Sequence, residues 1–196
     1  MRDDKLLKRA GGGDETAFLL LYERHRDAVF RFAFRLSGTA DVAEDVTHEC
    51  FVHLIAHAAD YDPTRASLRT YLCAAARNLT VSRLRRAGTV VPVDDLPVEP
   101  AAPTHDPLHL VLERELSTAV QRAVLSLSAL QREAIILFEF EDLSLLEIAA
   151  VVGADVGTIK GRLHRARQRL REALAPYFRS AIDHPRRRST AEKPQS

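Results

Sequence analysis

Apolar residues recur three and four positions apart through most of the chain, and no stretch sustains the alternation of a β-strand. The pattern predicts an all-α protein. A first helix runs from Asp14 to Leu36 with Phe18, Leu21, Tyr22, Val29, Phe32, Ala33 and Leu36 on its buried side, and Ser37-Gly38 breaks it. Asp41, with Glu44 three residues on, caps a second helix to about Ala59. Tyr61-Asp62-Pro63 makes a turn. Ser67 then opens a third helix to about Ala87 whose seam is Leu68, Leu72, Ala75 and Leu79. Further helices are expected at Leu108–Leu125 and at Ser128–Glu139, the latter opened by a Ser128/Gln131 capping box.

The segment Leu143–Arg171 predicts a helix-turn-helix. Ser144 and Glu147 form a capping box, and Leu145, Ile148, Ala149 and Val152 follow helical spacing. Gly153 ends the first helix because it enters the left-handed turn without strain. Asp155 caps a second helix that buries Ile159, Leu163, Ala166, Leu170 and Leu174. At 100° per residue, Lys160, His164, Arg167 and Arg171 lie on one flank of that seam, and Thr158, Arg162, Arg165 and Arg169 on the other. A solvated surface helix normally mixes charge signs to gain i,i+4 pairs, yet no acid stands between Asp155 and Glu172. A rigid cationic helix of this kind is shaped for the DNA major groove.

Residues Gly88–Pro107 carry five of the nine prolines, four acids and no Lys or Arg. They read as an extended acidic linker between two helical halves, each able to enclose a small core. The expected boundaries are 14–87, a linker at 88–107, 108–176, and a disordered tail at 177–196. Charge adds to this picture. The chain of 196 residues has a formal net charge of only +1, so its positive charge is local and suited to defined docking places. Cys50 and Cys73 lie in apolar helical surroundings and imply no disulfide framework. The N-terminal residues lack a signal-like apolar core and no run approaches a membrane span, so a cytoplasmic protein without membrane insertion is expected.

Two faces of the first half stand out. With Ala43, Val46, Cys50 and Leu54 inward, the second helix presents Asp45, His48, Glu49 and Val52 outward. A Val among acids suits a small partner patch, although on spacing alone an ordinary amphipathic helix is the better account. The third helix inverts the charge: between Pro63 and Val93 there are six Arg and no acid. Tyr61 and Tyr71 add aromatic faces on which an unstacked base can lie.

The stretches AEDVTHECFVHL (43–54), DPTRASLRTYLCAAARNL (62–79) and LSALQREAIILFEFEDLSLLEIAAVVGADVGTIKGRLHRARQRLRE (127–172) resemble bacterial sigma factors of the extracytoplasmic-function group. The resemblance covers residues 14 to 174 with both halves in order. It implies partners, namely core RNA polymerase, promoter DNA and an anti-sigma factor, and a role in directing polymerase to promoters and assisting their opening. It places Asp45, His48, Glu49 and Val52 on the surface that docks on a polymerase coiled coil. The loop with Tyr61, Asp62, Arg65 and Ser67 matches the one that captures a flipped minus-ten base. Arg69, Tyr71, Arg77 and Asn78 follow on the helix beside the minus-ten strand. Thr158, Lys160, Gly161, Arg162, His164, Arg165, Arg167 and Arg169 fall in the minus-thirty-five recognition helix. Three positions depart from the family pattern: His48 where Gln is usual, Tyr71 where Trp is usual, and Ser82 where Asp is common.

Other chemistry has little support. Cys50, His53 and His57 share a helix stripe, but that spacing also suits packing, and no further ligand or H-E-x-x-H base accompanies them. Gly11-Gly12-Gly13 lacks the Lys-Ser/Thr of a phosphate loop and reads as a hinge. No Ser/His/Asp grouping has local support, so neither catalysis, nor a metal, nor a cofactor is expected.

Overall fold

The computed structural model describes residues 1–87 and 107–182, and the regular elements among them are all helices. In chain order the helices are α1 (Asp3–Gly11), α2 (Glu15–Ser37), α3 (Ala40–Ala56), α4 (Leu68–Ala87), α5 (Pro107–Ser126), α6 (Ala129–Ile135), α7 (Leu145–Val152) and α8 (Val156–Ile182). A 3-10 turn at Ala58–Asp60 follows α3, and a π-helical turn at Ile136–Phe140 extends α6. The first four helices form one domain and the last four another.

In the first domain α2, α3 and α4 pack against one another, with Phe32, Leu21, Phe51, Leu54 and Leu72 fully buried between them. Asp14 caps α2 by accepting the Ala17 N–H at 3.0 Å. Gly38 ends it at φ +82°, its N–H donating to the Phe34 carbonyl at 2.7 Å. The buried hydroxyls of Thr47 and Thr80 donate back to the carbonyls of Ala43 and Ala76, each at 2.7 Å, which removes them as orphaned polar groups. The seam of α4 shifts from the expected one. Leu68, Leu72, Cys73 and Ala76 are buried, while Ala75 and Leu79 are half-buried, because α4 is covered on a second side by the other domain.

Helix α1 is an element that periodicity did not announce. Its nine residues bury Leu6, Leu7 and Ala10 against α2 and the 3-10 turn. The triglycine is the end of this helix rather than a hinge: the N–H groups of Gly12 and Gly13 donate to the carbonyls of Arg9 and Ala10, both at 3.0 Å. Two helix starts also differ from expectation. Asp41 lies inside the first turn of α3, behind the uncapped Thr39, so the D-x-x-E pattern supplies charge to the dipole rather than a cap. Ser128 holds the N-cap position of α6, but its side chain makes no capping bond, so the Ser128/Gln131 box does not form.

The second domain wraps α5, α6 and α7 around the N-terminal part of α8, burying Ile136, Leu137, Ile148, Ile159, Leu163 and Ala166. Here local expectations hold. Ser144 and Glu147 close a reciprocal capping box, Gly153 takes φ +67°, and Asp155 accepts the Thr158 N–H at 2.8 Å. Helix α8 passes through Pro176 to Ile182, so 177–182 are helical where a disordered tail was expected. The linker at 88–106 and the tail from 183 lie outside the described residues; Pro107 begins α5, a position where a missing N–H is harmless.

The two domains touch, and one hydrophobic cluster runs from Leu6 to Ala166 through both. Helix α4 meets α7, and α2 meets α5 and the π-helical turn. Arg132 of α6 pins this contact, donating to the Leu36 carbonyl at the end of α2 at 3.0 Å and to those of Leu125, in the last turn of α5, and Leu127, just beyond it. Carbonyls at helix ends lack intrahelical partners and carry partial negative charge, which suits a guanidinium.

The packing of α1 gives a direct test. A Cβ on Gly11 would lie 2.7 Å from the Ala58 Cβ. Gly11→Ala should therefore destabilise the protein by about 1–3 kcal/mol, the usual scale of overpacking, although alanine is the better helix former. Thermal unfolding of Gly11→Ala and of the Gly11→Ala/Ala58→Gly double variant checks it: the second change should recover much of the lost Tm, and two independent losses would refute the close approach.

Candidate nucleic-acid interface

Three surfaces carry the expected residues. The first is the solvent side of α8. Its seam holds the helix against α5, α6 and α7, which leaves Lys160, His164, Arg165 and Arg169 exposed and Arg162 half-exposed. None of these five is engaged by a hydrogen bond or ion pair with another described residue, so their donors are available to an outside partner. The Thr158 hydroxyl is used by the Asp155 cap. Arg167 departs from the stripe it was placed in: its guanidinium donates twice to Glu139, at 2.9 and 2.7 Å, and lies 5.0 Å from the Phe138 ring centroid. It braces α8 on the π-helical turn. A Cβ at Gly161 would meet only the Arg165 guanidinium at 3.5 Å, an ordinary contact, so no crowding within the protein requires glycine there.

The second surface is the loop 61–67 and the face of α4 that follows. Asp62 folds the loop into an Asx turn, accepting the Thr64 N–H at 2.9 Å and its hydroxyl at 2.7 Å, and these bonds hold its carboxyl below the usual carboxylate range. The Tyr61 hydroxyl donates to the Ala66 carbonyl at 3.0 Å, and its ring packs edge-on to Tyr71 with centroids 5.6 Å apart. Ser67 caps α4 by accepting the Thr70 N–H at 3.1 Å. The loop is thus fixed by its own hydrogen bonds, with Arg65 exposed at its tip.

Arg69 and Arg77 are not free. Arg69 donates to Glu141 at 3.1 Å, Arg77 is paired with Glu133, and the Thr70 hydroxyl donates to Glu147 at 3.0 Å. All three acids come from the second domain. Asn78 accepts from Arg77 at 3.0 Å. Burial pushes the Glu141 carboxyl up from its ordinary value while Arg69 draws it back. Sequence reading missed these acids, because their roles depend on a contact across the two domains.

The third surface is the outer face of α3. Asp45, His48, Glu49 and Val52 are exposed, as spacing required. Arg83 of α4 clamps the two acids, at 2.6 Å to Asp45 and 2.7 Å to Glu49, and its own pKa is raised by the Glu49 bond first and by Asp45 after it. Beside them runs an apolar groove of about 660 Å³ between α2 and α3, lined by Phe18, Leu19, Tyr22, Phe51, Val52 and Ile55 among others. Leu19 and Val52 are 53% and 57% exposed. The contribution of α2 was legible only as an oddity: Phe18-Leu19-Leu20-Leu21 is too long an apolar run for a single buried stripe.

Elsewhere the chemistry is quiet. The rings of His53 and His57 stack at 4.1 Å, and among the described residues no group of three or more His, Cys, Asp or Glu is placed to hold a metal. Burial pushes both cysteine thiols up to about 12. No described helix is long and apolar enough to cross a membrane.

Comparison with known proteins accounts for the arrangement. A family model for sigma-70 region 2 matches residues 21–89, and one for sigma-70 region 4 matches residues 117–170. The chain is 30% identical over 179 residues to the extracytoplasmic-function (ECF) RNA polymerase sigma factor SigW of Bacillus subtilis, covering 87% of this chain and 95% of SigW. It is 32% identical over 187 residues to the ECF sigma factor SigM of Mycobacterium tuberculosis, covering 92% and 88%. Among solved structures, the sigma factor RpoE of Bartonella quintana, in complex with the anti-sigma factor NepR, superposes with a TM-score of 0.64 at 29% identity, covering 81% of this chain and 96% of that one.

Proposed function

We propose a division of labour among the three surfaces of a chain that belongs to the extracytoplasmic-function group of sigma-70 factors. As a sigma factor it binds core RNA polymerase and directs it to promoters. The observation that carries the rest is the separation of its charges: unengaged Lys160, Arg162, Arg165 and Arg169 on the solvent side of α8, an exposed Arg65 in the loop before the arginine-rich α4, and acids with apolar neighbours on α3.

Helix α8 is the reader of the minus-thirty-five duplex. A rigid helix with unengaged Arg162, Arg165 and Arg169 suits bidentate recognition of base edges, each good contact contributing about 1–3 kcal/mol of discrimination. Gly161 supports this reading. Glycine in a helix costs about 1 kcal/mol relative to alanine, and here it relieves no internal crowding. A phosphate or base edge approaching the backbone gives it a reason. Arg167, engaged by Glu139, positions the helix instead of reading DNA.

The loop 61–67 and α4 take the minus-ten strand and assist opening. Unstacking a base costs a few kcal/mol, offset by edge contacts in a preformed loop and by arginines along the strand. The hydrogen bonds that fix the loop mean little ordering is left for the moment of binding. The outer face of α3 docks on polymerase: its groove receives apolar side chains, while Asp45 and Glu49 exchange Arg83 for cations of the partner. An anti-sigma factor is the expected regulator, as in the solved RpoE complex, and the α2–α3 groove has the apolar lining such a helix needs. The chain performs no chemistry of its own; its thiols, held near 12 by burial, are not nucleophiles. It works in the cytoplasm, where polymerase is.

Three outcomes test this assignment. Asp45→Arg should weaken binding to core polymerase, since it reverses a docking charge and sets a second cation beside Arg83, while the helical circular dichroism signal stays normal; unchanged core affinity would remove α3 from the interface. Arg162→Ala or Arg165→Ala should relax preference at particular minus-thirty-five bases, each by about 1–3 kcal/mol. Arg171→Ala should instead weaken binding evenly and flatten the salt dependence, as a phosphate contact does. Competition binding across promoter variants separates the two, and base-specific effects of Arg171 would refute the assignment of the flanks. Finally, a premelted bubble template should rescue open-complex formation by Asn78→Ala more than by Lys160→Ala. Equal rescue would mean that melting and duplex reading are not divided between the domains.

A further inference from the structure

We propose that α1 is a second wall of the minus-ten site: the cavity between α1 and the loop after α3 takes one nucleotide of the single strand, with Asp4 reading the base edge and Lys5 and Lys8 holding the phosphate. The inference rests on the minus-ten reading of the loop 61–67 given above. None of the three surfaces already described includes α1. The cavity has a volume of about 720 Å³, with Asp4, Lys5 and Lys8 on one side and Ala59, Tyr61 and Pro63 on the other. That volume lies within the range of about 300–1,000 Å³ typical of small-ligand sites. Tyr61 and Pro63 belong to the loop assigned to the flipped base, so a strand held by that loop passes the mouth of the cavity.

The groups on these walls suit a nucleotide. Oδ1 of Asp4 is buried and accepts no hydrogen bond from the described residues; its ion pair, at 3.4 Å, is with the exposed side chain of Arg2. A buried carboxylate oxygen without a donor is costly. The neighbouring acids are engaged, Asp3 by Arg24 and His25, and Asp14 by Arg9 and the Ala17 N–H. The exocyclic amino group of a base supplies the donor that Asp4 lacks, as when a carboxylate accepts from cytosine N4. Lys5 and Lys8 are exposed, lie one turn apart, and make no hydrogen bond or ion pair with a described residue. Asp4 and Lys8 stand four apart, the spacing of a helical ion pair, yet form none. Acid and cations are thus both left for a ligand that carries an amino group and a phosphate.

The wall is fixed before any strand arrives. Leu6, Leu7 and Ala10 are buried, Asp3 ties the first turn of α1 to α2, and Gly11 packs directly on Ala58. The Tyr61 hydroxyl is spent on the Ala66 carbonyl. Burial first, then the charges of Asp3 and Asp4, raise its pKa, which puts those carboxylates within electrostatic reach of the loop. A preformed pocket loses little freedom on binding. Thymine is the base such a site rejects, because it has no exocyclic amino group and its carbonyl oxygens repel a carboxylate.

The experiment measures binding of reconstituted holoenzyme to bubble templates in which each non-template base of the minus-ten region is varied in turn. The unaltered protein should disfavour thymine by about tenfold at one position, and Asp4→Asn should abolish that penalty, since an amide both donates and accepts. Lys5→Gln/Lys8→Gln should weaken binding to all four bases alike and flatten its salt dependence, as loss of phosphate contacts does. Arg31→Gln/Arg122→Gln, at exposed cations outside the cavity, controls for net charge and should change the slope less. Ala59→Trp fills the cavity from an exposed position and should lower affinity for every template by about tenfold with core polymerase binding unchanged. An Asp4→Asn protein with the original preference at every position, or Ala59→Trp with the original affinity, would overturn the proposal. Arg65→Ala keeps the two readings apart. If it alters template binding while the α1 variants do not, the loop keeps its minus-ten role and α1 loses its part; if neither does, both readings fall.

Discussion

A carboxylate removed from water must find a cation, and the arrangement of this protein turns on two that have done so. Glu133 and Glu141 are buried between the domains against Arg77 and Arg69. Desolvation of such pairs offsets much of their attraction, so they contribute specificity more than stability. What they specify is register: with Thr70 and Glu147 they fix which stripe of α4 lies under α7. The apolar cluster that runs through both domains supplies attraction without direction, and the ion pairs supply direction.

Much of this was legible where local physics decides. The capping box at Ser144, the left-handed Gly153 and the Asp155 cap each depend on residues within four positions, and each forms as read. The outward set on α3 followed from helical geometry alone. Where the sequence misled, the deciding partner was distant. The partners of Arg77 and Arg69 are 56 and 72 residues away, and no periodicity reports them. The same contact moved the seam of α4 from Ala75 and Leu79 toward Cys73 and Ala76. Helix α1 escaped notice because nine residues are too few to establish a period, and its glycines suggested a break. In fact Gly11 is glycine because Ala58 leaves no room for a Cβ.

The faces proposed for docking and for the minus-ten strand are also tied to each other. Arg83 belongs to α4, yet its donors are spent on Asp45 and Glu49 of α3. Exposed pairs of this kind are worth about 0–1 kcal/mol, too little to hold the fold and little enough for a partner to displace. A cation from polymerase that takes the acids returns Arg83 to the same helix that carries Arg77 and Asn78. On the docking role proposed for α3, displacement of Arg83 adds positive potential to the helix that carries Arg77 and Asn78.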